Sequence, residues 1–369
     1  MDAYAYLYQC LGKVVSLKGH DLFLKVGSVP RARVGSTVVP LPFEAVTDKE
    51  TRAIVETVLN PAQKSLLEQN RSVDFSFSLF EEMQRFRGNI FWQQNRYSVV
   101  IRMLWKDLPS FEELHIPLAL RDIAVEQSGI ILIGGTVGMG KTTTINAMIN
   151  WMNAKSQRHI LTIEDPIEYL HVDKGCVINQ REIGQDANDF ASALKYAVRQ
   201  APDVIMIGEM RDAESFKYAL SASEVGRLVV STIHAKSVVQ IFDRVLGFFP
   251  QAQQDTILNH LSYHITCFAV EKLIVKKDGR TMVPAFEIML GNGIVRELVR
   301  EKEFAKIPQA LRNAAHEGMQ TMDDAIFKLW EDREISDREA LSASEKPMEL
   351  EKRMKGIEVQ SQRTSILGA

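Results

Sequence analysis

The first hundred residues carry a hydrophobic pattern that mixes helices and strands in irregular order. Apolar residues from Tyr4 to Val15 recur on one face of a helix. The positions that follow predict a strand at 21–26, helices near 48–59 and 61–69, a strand at 73–79, and one or two strands at 85–103 with a turn near Asn95. Because these elements do not alternate regularly, the pattern predicts an α+β domain.

From residue 118 onward the pattern changes to short apolar strands separated by amphipathic helices. The strands are predicted at 130–133, 160–163, 204–207 and 228–231. Such alternation is typical of a mostly parallel α/β sheet with helices on both faces. Near 273–290 the period becomes that of a hairpin turned at Asp278 and Gly279, and the chain beyond it is predicted to be helical.

Two prolines, Pro109 and Pro117, frame a short segment in which the periodic patterns stop. The final residues of the chain are charged and only weakly periodic, which favours a loose tail. The predicted organisation is an N-terminal domain at 1–108, a linker at 109–117, a second domain with C-terminal helices at 118–345, and a tail at 346–369.

Composition and charge narrow the function classes. Apolar residues make up 46% of the chain and charged residues 25%, as in globular proteins. The formal net charge is -3, so the chain has no general attraction to nucleic acid, and we expect no nucleic-acid partner. Three separated cysteines exclude a four-thiolate zinc site. No apolar run approaches the roughly 20 residues of a membrane span, and we expect a cytoplasmic protein without a signal peptide.

The strongest chemical signal is GTVGMGKT at 135–142, which fits the phosphate-binding pattern G-x-x-x-x-G-K-[ST]. Its glycines let backbone N–H groups converge on phosphate oxygens, at the positive end of the helix that follows. Lys141 supplies a cation for the β- and γ-phosphates, and Thr142 supplies a hydroxyl for Mg²⁺. The residues predicted to bind ATP are Gly135, Thr136, Val137, Gly138, Met139, Gly140, Lys141, Thr142 and Thr143.

Two acids and a histidine follow the ends of predicted strands in the same domain. Glu164 follows the strand at 160–163, and Glu209 comes just after the strand at 204–207. Ligands of open α/β sheets lie beyond the carboxyl ends of the strands, so both carboxylates are expected near the phosphate loop. His234 lies beyond the next strand and is a candidate to polarise or sense the γ-phosphate. A purely structural role fits a single histidine equally well.

Four arginines, Arg85, Arg87, Arg96 and Arg102, lie close together in the N-terminal domain. Guanidinium groups suit phosphate oxygens and developing negative charge. On the sequence alone, however, a solvated strand face explains them better. Interleaved aromatic residues would also suit single-stranded nucleic acid, but the acidic balance of the chain makes that the weaker interpretation.

Several ordered motifs resemble those of one protein family. The segments at 135–143, 161–168, 201–212 and 232–235 are similar to the Walker A motif, Asp box, Walker B motif and His box of secretion-superfamily ATPases. The closest likeness is to type IV pilus retraction ATPases of the PilT/PilU type, and it covers nearly the whole chain. The resemblance implies a RecA-like P-loop ATPase domain preceded by a PAS-like domain.

The resemblance also implies roles for residues. In such enzymes the Asp-box glutamate, here Glu164, is the general base, and the Walker B glutamate, here Glu209, supports Mg²⁺ together with Thr142. His234 contacts or senses the γ-phosphate, and N-terminal arginines such as Arg96 and Arg102 complete the site. The implied assembly is a homohexamer that hydrolyses ATP to drive pilus retraction and twitching motility. It works at the inner face of the cytoplasmic membrane with a platform protein and a paralogous retraction ATPase.

Departures from the family pattern leave alternatives open. The usual loop is G-P-T-G-S-G-K-S, and this chain has Thr136, Val137, Met139 and Thr142 at four of its positions. The motif VRELVRE resembles the retraction enzyme, whereas the long tail resembles the accessory type. The chain could therefore be an accessory subunit on an active partner ring. A pilus-assembly or type II secretion ATPase is less compatible, because those enzymes carry a tetracysteine zinc element. An acidic balance likewise disfavours a nucleic-acid translocase.

Overall fold

The computed structural model describes residues 3–35, 37–79, 84–104 and 108–357. The chain divides into two compact units, Met1–Asp107 with Glu168–Leu170 and Leu108–Ile167 with His171–Ala369. The elements of the first unit are α1 (Ala3–Ser16), β1 (Asp21–Lys25), β2 (Arg31–Val34), β3 (Thr37–Pro40), α2 (Asp48–Val58), α3 (Pro61–Asn70), β4 (Ser72–Leu79), β5 (Gln84–Gln93) and β6 (Arg96–Met103).

The first unit is built on a six-stranded antiparallel sheet in the order β3-β2-β1-β6-β5-β4. The predicted α+β character is confirmed. Gln94 and Asn95 both have positive φ, at 51° and 59°, which gives the hairpin between β5 and β6 the tight turn that its right-handed twist favours. The sequence pattern missed β2 and β3, because each has only four residues and β3 is largely exposed at the edge of the sheet.

Apolar residues of α1, α2 and the sheet form the core of this unit. Cys10 and Leu11 from α1 pack with Ile54 from α2, and all three are almost completely buried. Leu22 and Phe86 contribute the sheet side of the same cluster. This burial explains why α1 and α2 follow the helical periodicity of the sequence, since each has one apolar stripe.

The second unit has a longer list of elements. They are α4 (Leu118–Ile123), β7 (Gly129–Gly134), α5 (Lys141–Lys155), β8 (His159–Glu164), β9 (Val177–Glu182), α6 (Phe190–Ala197), β10 (Val204–Ile207), α7 (Ala213–Glu224), β11 (Leu228–Ile233), α8 (Val238–Gly247), α9 (Gln251–His264), β12 (Ile265–Val275), β13 (Met282–Leu290), α10 (Gly293–Arg300), α11 (Ile307–Asn313), α12 (Met322–Glu331), α13 (Asp337–Ala343) and α14 (Pro347–Met354).

A seven-stranded sheet in the order β13-β12-β7-β11-β10-β8-β9 organises this unit. All neighbouring pairs are parallel except β12 and β13, which form the predicted hairpin. β7 is buried on both sides, because Ile130 and Leu132 belong to one apolar cluster while Ile131 and Ile133 belong to another. Helices therefore cover both faces, as the alternating pattern predicts.

The edge of this sheet at β13 is extended by a short backbone bridge. Gln320 and Ile288 exchange two backbone hydrogen bonds, of 2.9 and 3.1 Å. The Nε2 atom of Gln320 also donates to the carbonyl of Phe286 at 2.8 Å. The segment before α12 is thereby fixed along the outer side of β13.

The segments predicted as a linker and as a loose tail both contain buried residues, and the tail prediction is wrong for its helical part. In the predicted linker at 109–117, Phe111 and Ile116 are buried in the cluster that covers the α5 face of the sheet. The expected loose tail contains α14, whose Leu350 is buried and whose Arg353 lies over the ring of Phe327 and pairs with Asp324 at 2.5 Å. Residues 358–369 lie outside the described residues. Across the part of the chain that is described, no helix combines the length and apolarity needed to cross a membrane.

Candidate active site

The phosphate loop connects the end of β7 to the start of α5. Gly135, Gly138 and Gly140 have positive φ values of 154°, 79° and 95°, a conformation that favours glycine. Gly140 also has no room for a side chain, since a Cβ there would collide with a carboxylate oxygen of Glu271. The loop thus needs glycine for both its backbone turn and its packing.

The first residues of α5 are held at the mouth of this loop. The Nζ atom of Lys141 donates to the carbonyls of Gly135 and Thr136, at 3.0 and 2.9 Å. Thr142 and Thr143 lie half-buried in the first turn of the helix. A cation, a hydroxyl and the helix N-terminus therefore meet at one place, which is the arrangement that a nucleotide polyphosphate requires.

The rim of the loop is exposed, with one exception. Thr136, Val137 and Gly138 lie in solvent, and Val137 is 82% exposed. Met139 instead folds against β12, where its Sδ accepts the backbone N–H of Leu273 at 3.4 Å. This bulky residue is thus accommodated by a contact behind the loop.

Glu164 ends β8 and is buried, with 2% of its surface exposed. Its Oε1 accepts hydrogen bonds from Oγ1 of Thr162 at 2.6 Å and from Nε2 of Gln180 at 3.1 Å. The carboxylate is therefore oriented by two neutral donors. Gln180 has no assigned role in the sequence interpretation, because its position beside Glu164 depends on the pairing of β8 with β9.

Glu209 and His234 lie together at the ends of β10 and β11. Oε1 of Glu209 is 2.9 Å from Nε2 of His234, and its Oε2 accepts from Nε of Arg211 at 2.7 Å. Arg211 also lies 3.6 Å from a carboxylate oxygen of Asp165. One arginine therefore links the residue that follows Glu164 to Glu209, a role the sequence pattern did not reveal.

Glu271 and Thr144 are two further residues at the loop that the motifs did not indicate. Glu271 lies on β12 with 4% of its surface exposed, and its Oε2 accepts from Oγ1 of Thr144 at 2.8 Å. Burial raises the pKa of Glu271 to about 8, although the Thr144 hydrogen bond and the charge of Lys141 act in the opposite direction. No sequence motif marks this residue, because it reaches the loop only through sheet pairing.

The two candidate arginines of the first unit have different surroundings. Nε of Arg102 donates to Oδ1 of buried Asp21 at 2.7 Å, and Nε of Arg33 donates to the other oxygen at 2.9 Å. Burial would raise the pKa of Asp21, but the two arginines more than offset this effect and lower it. Arg96 begins β6, is exposed, and makes no ion pair with any described residue.

A polar cavity of about 660 Å³ lies elsewhere in the second unit. Its lining includes Arg158, Asp203 and Arg227, which precede β8, β10 and β11. These residues are at the amino ends of the parallel strands, whereas the phosphate loop is at their carboxyl ends. The cavity is therefore not the nucleotide site.

The residues of the loop fit a nucleotide carried with a divalent cation. Among the described residues, no group of three or more His, Cys, Asp or Glu side chains converges as a metal site. Mg²⁺ is commonly bound by one or two protein groups together with substrate phosphates. Thr142 in the first turn of α5 and Glu209, which follows β10, are the groups that the sequence prediction assigns to that arrangement.

Comparison with known proteins agrees with this geometry. A family model described as "Type II/IV secretion system protein" matches residues 65–324. The chain belongs to this family. Its relatives include the type IV pilus ATPase PilU of Pseudomonas aeruginosa, 34% identical over 91% of this chain and 88% of that protein. The PilT retraction ATPase of the same organism is 36% identical over 82% of this chain and 88% of that protein.

A solved structure of another family member shows the same architecture. The pilus retraction motor PilT with bound ADP matches with a TM-score of 0.85 and 34% identity, over 93% of this chain and 98% of that one. The second unit accordingly has the RecA-like ATPase fold, preceded by a smaller α+β domain. The chain is therefore a P-loop ATPase that uses a nucleotide.

Proposed function

We propose that this chain is the ATP-hydrolysing motor of type IV pilus retraction and twitching motility. The observation that carries the proposal is the joint presence of a complete phosphate loop and the Glu209–His234 pair in a chain that aligns with PilU and PilT over most of its length. It acts in the cytoplasm, peripherally at the inner face of the cytoplasmic membrane. Its partners there are an inner-membrane platform protein and a paralogous retraction ATPase.

Nucleotide binding follows from the loop. The backbone N–H groups of 135–140 and the N-terminus of α5 receive the phosphates of ATP. Lys141 exchanges its contacts with the Gly135 and Thr136 carbonyls for phosphate oxygens. Thr142 and Glu209 would hold Mg²⁺, and the ion would neutralise phosphate charge. Thr143 and the exposed rim at 136–138 close around the same anion.

Hydrolysis requires a base and a means to stabilise the γ-phosphate. Glu164 accepts the proton of the attacking water, while Thr162 and Gln180 fix the orientation of its carboxylate. His234 contacts the γ-phosphate and reports its loss to Glu209 through their shared hydrogen bond. Arg211 pairs with both Glu209 and Asp165. A movement of one of these carboxylates therefore displaces the arginine and affects the other carboxylate.

Arginines of the first unit complete the site with positive charge. Arg96 is the better candidate, since it makes no ion pair with a described residue, whereas Arg102 would have to leave Asp21. A ring of six chains places a site of this kind at each subunit boundary and couples domain closure to each hydrolysis event. That movement, passed to the platform protein, withdraws pilin subunits from the pilus.

The proposal is tested by deleting the gene and complementing it with the parent, Lys141→Ala or Glu164→Gln. Retraction predicts excess surface pili and no twitching in the deletion strain and in both variants, and recovery with the parent. Loss of surface pili in the deletion strain would instead indicate an assembly motor. The ATPase rate of the purified ring separates a motor from an accessory subunit, because only a motor turns over ATP without its paralogue.

A further inference from the structure

Glu271 lies directly behind the phosphate loop. Its carboxylate occupies the space where Gly140 lacks a side chain, and its backbone carbonyl lies 2.8 Å from the place that a Cβ at Gly135 would take. The same carboxylate accepts the hydroxyl of Thr144 in the first turn of α5. One residue on β12 therefore supports both ends of the loop and the start of the helix, through its backbone carbonyl at Gly135 and its carboxylate at Gly140 and Thr144.

The surroundings of this carboxylate offer little compensation for a negative charge. Glu271 makes no ion pair with any described residue, and Lys141 on α5 is the charged group close enough to influence it. β7 beside it contains only glycine and aliphatic residues, and Phe286 stands opposite it on β13. Met139 and the other loop residues bring no charge. A buried acid in such a place prefers its neutral form near neutral pH.

We propose that Glu271 is a proton-controlled positioning residue of the phosphate loop, which permits tight nucleotide binding when neutral and opposes it when ionised. The inference rests on the assignment of the loop as the nucleotide site, and it is independent of the role in pilus retraction. It predicts that the affinity of this ATPase for nucleotides depends on pH, which the sequence motifs do not indicate.

Two physical effects act in the same direction when the carboxyl group ionises. A negative charge behind the loop repels the polyphosphate in front of it, through a medium that screens charge poorly. The same charge attracts the Lys141 ammonium away from the phosphates. By linkage, a nucleotide that binds the neutral form better loses affinity as pH rises through the pKa of Glu271, by at most about tenfold per pH unit.

The test measures binding of Mg-ADP to the full-length protein by calorimetry between pH 6.5 and 9.5, for the parent and for Glu271→Gln. The amide keeps the shape of the neutral acid and does not titrate. We expect the Kd of the parent to increase at least roughly fivefold from pH 7 to 9, and that of the variant to change by less than about twofold. Titration of ADP itself affects both proteins equally, so the difference between them isolates Glu271.

A second variant keeps the proposal testable even if Glu271→Gln fails to fold. Thr144→Val removes the hydroxyl that stabilises the ionised form, and it should move the midpoint of the affinity change to higher pH, whereas Thr144→Ser should restore the parent midpoint. A merely structural role would change Kd equally at every pH and leave the midpoint in place. Parallel pH profiles for parent and Glu271→Gln would overturn the proposal, and absence of ADP binding at any pH would overturn the nucleotide site itself.

Discussion

Nε2 of His234 lies 2.9 Å from Oε1 of Glu209, and the two residues follow neighbouring parallel strands of one sheet. Because the contact links the two side chains, a ligand that displaces one of them also affects the other. The same carboxylate is held from its other side by Arg211. The hydrogen-bonding capacity of Glu209 is therefore shared between a cation and a histidine.

His234→Ala should reduce ATP hydrolysis on the order of 10²-fold while leaving nucleotide affinity within a few-fold of the parent, because it removes a γ-phosphate contact but not the loop. Steady-state ATPase assays and ADP calorimetry measure the two quantities. His260→Ala is the matched control. His260 also pairs with a glutamate, Glu224, at 2.6 Å, but it lies on α9 and not at a strand end beside the loop. Parent-like turnover in His234→Ala would mean that this histidine is structural.

Glu164→Gln should keep ATP binding and lose at least roughly 10³-fold in turnover, because an amide can be oriented by Thr162 but accepts a proton far less readily. Glu182→Gln provides the control. Glu182 is opposite Glu164 in the register of β8 and β9 and is similarly buried, but it accepts hydrogen bonds from Ile167 and Gln185. If Glu164→Gln hydrolyses ATP at the parent rate, Glu209 becomes the candidate base.

Arg96→Ala and Arg102→Ala should differ in what they change. An arginine that acts on the transition state contributes on the order of 10³-fold to turnover, so Arg96→Ala should slow hydrolysis by about that factor without altering the melting temperature. If Arg102 also reaches nucleotide, its variant slows hydrolysis similarly. Turnover unchanged in both variants would exclude the first unit from the active site.

Removal of Arg102 should in addition weaken the first unit, because buried Asp21 then retains only Arg33. We expect a loss on the order of 1 kcal/mol in unfolding free energy at neutral pH. The pKa of Asp21 is lowered in the folded protein, so its contribution is present above the unfolded pKa of 3.8 and disappears as pH falls through the lower folded value. In Arg102→Ala the folded pKa of Asp21 should move up toward 3.8, so the acid loss should be smaller and should be complete at a higher pH, which thermal unfolding in acidic buffers would detect.

Glu287→Gln should stabilise the protein at pH 8. Burial raises the pKa of Glu287 to about 7 although it accepts the backbone N–H of Val238, with nearby acids adding to the increase. Between the unfolded pKa of 4.5 and about 7 the folded state retains a proton that the unfolded state releases, so stability falls as pH rises through that window. The variant should gain about 1–3 kcal/mol at pH 8 and much less at pH 5.5.

Thermal unfolding at both pH values checks this. Exposed Glu112→Gln is the control, and it should leave the melting temperature unchanged at either pH. An equal shift for Glu287→Gln at pH 5.5 and pH 8 would show that its effect comes from packing rather than ionisation.

Periodicity and turn chemistry predicted most elements of this fold, because a buried apolar strand such as β7 and an amphipathic helix such as α1 are local patterns. The strands β2 and β3 lacked such a pattern. The burial of Phe111 and Leu350 could not be predicted from the pattern either. Phe111 lies in a short segment framed by prolines and Leu350 in a charged one, and both are buried by residues from other parts of the chain.

At the site, consecutive motifs indicated Glu164, Glu209 and His234, because each follows a recognisable strand. Glu271 and the Asp21–Arg102 pair could not be predicted in this way. Each depends on the register between strands distant in sequence, as when Asp21 on β1 is opposite Arg102 on β6. A pattern within one segment contains no information about that alignment.

The bridge between Gln320 and Ile288 has a consequence for self-association. An open strand at the edge of a sheet is a template for another chain, and proteins avoid such pairing by covering the edge. On the outer side of β13, the backbone of Ile288 already donates and accepts a hydrogen bond in the bridge to Gln320. The side chain of Gln320 also donates a hydrogen bond to the carbonyl of Phe286. Strand addition between copies is blocked at these positions, so a high local concentration of this chain does not make this edge the start of a continuous intermolecular sheet.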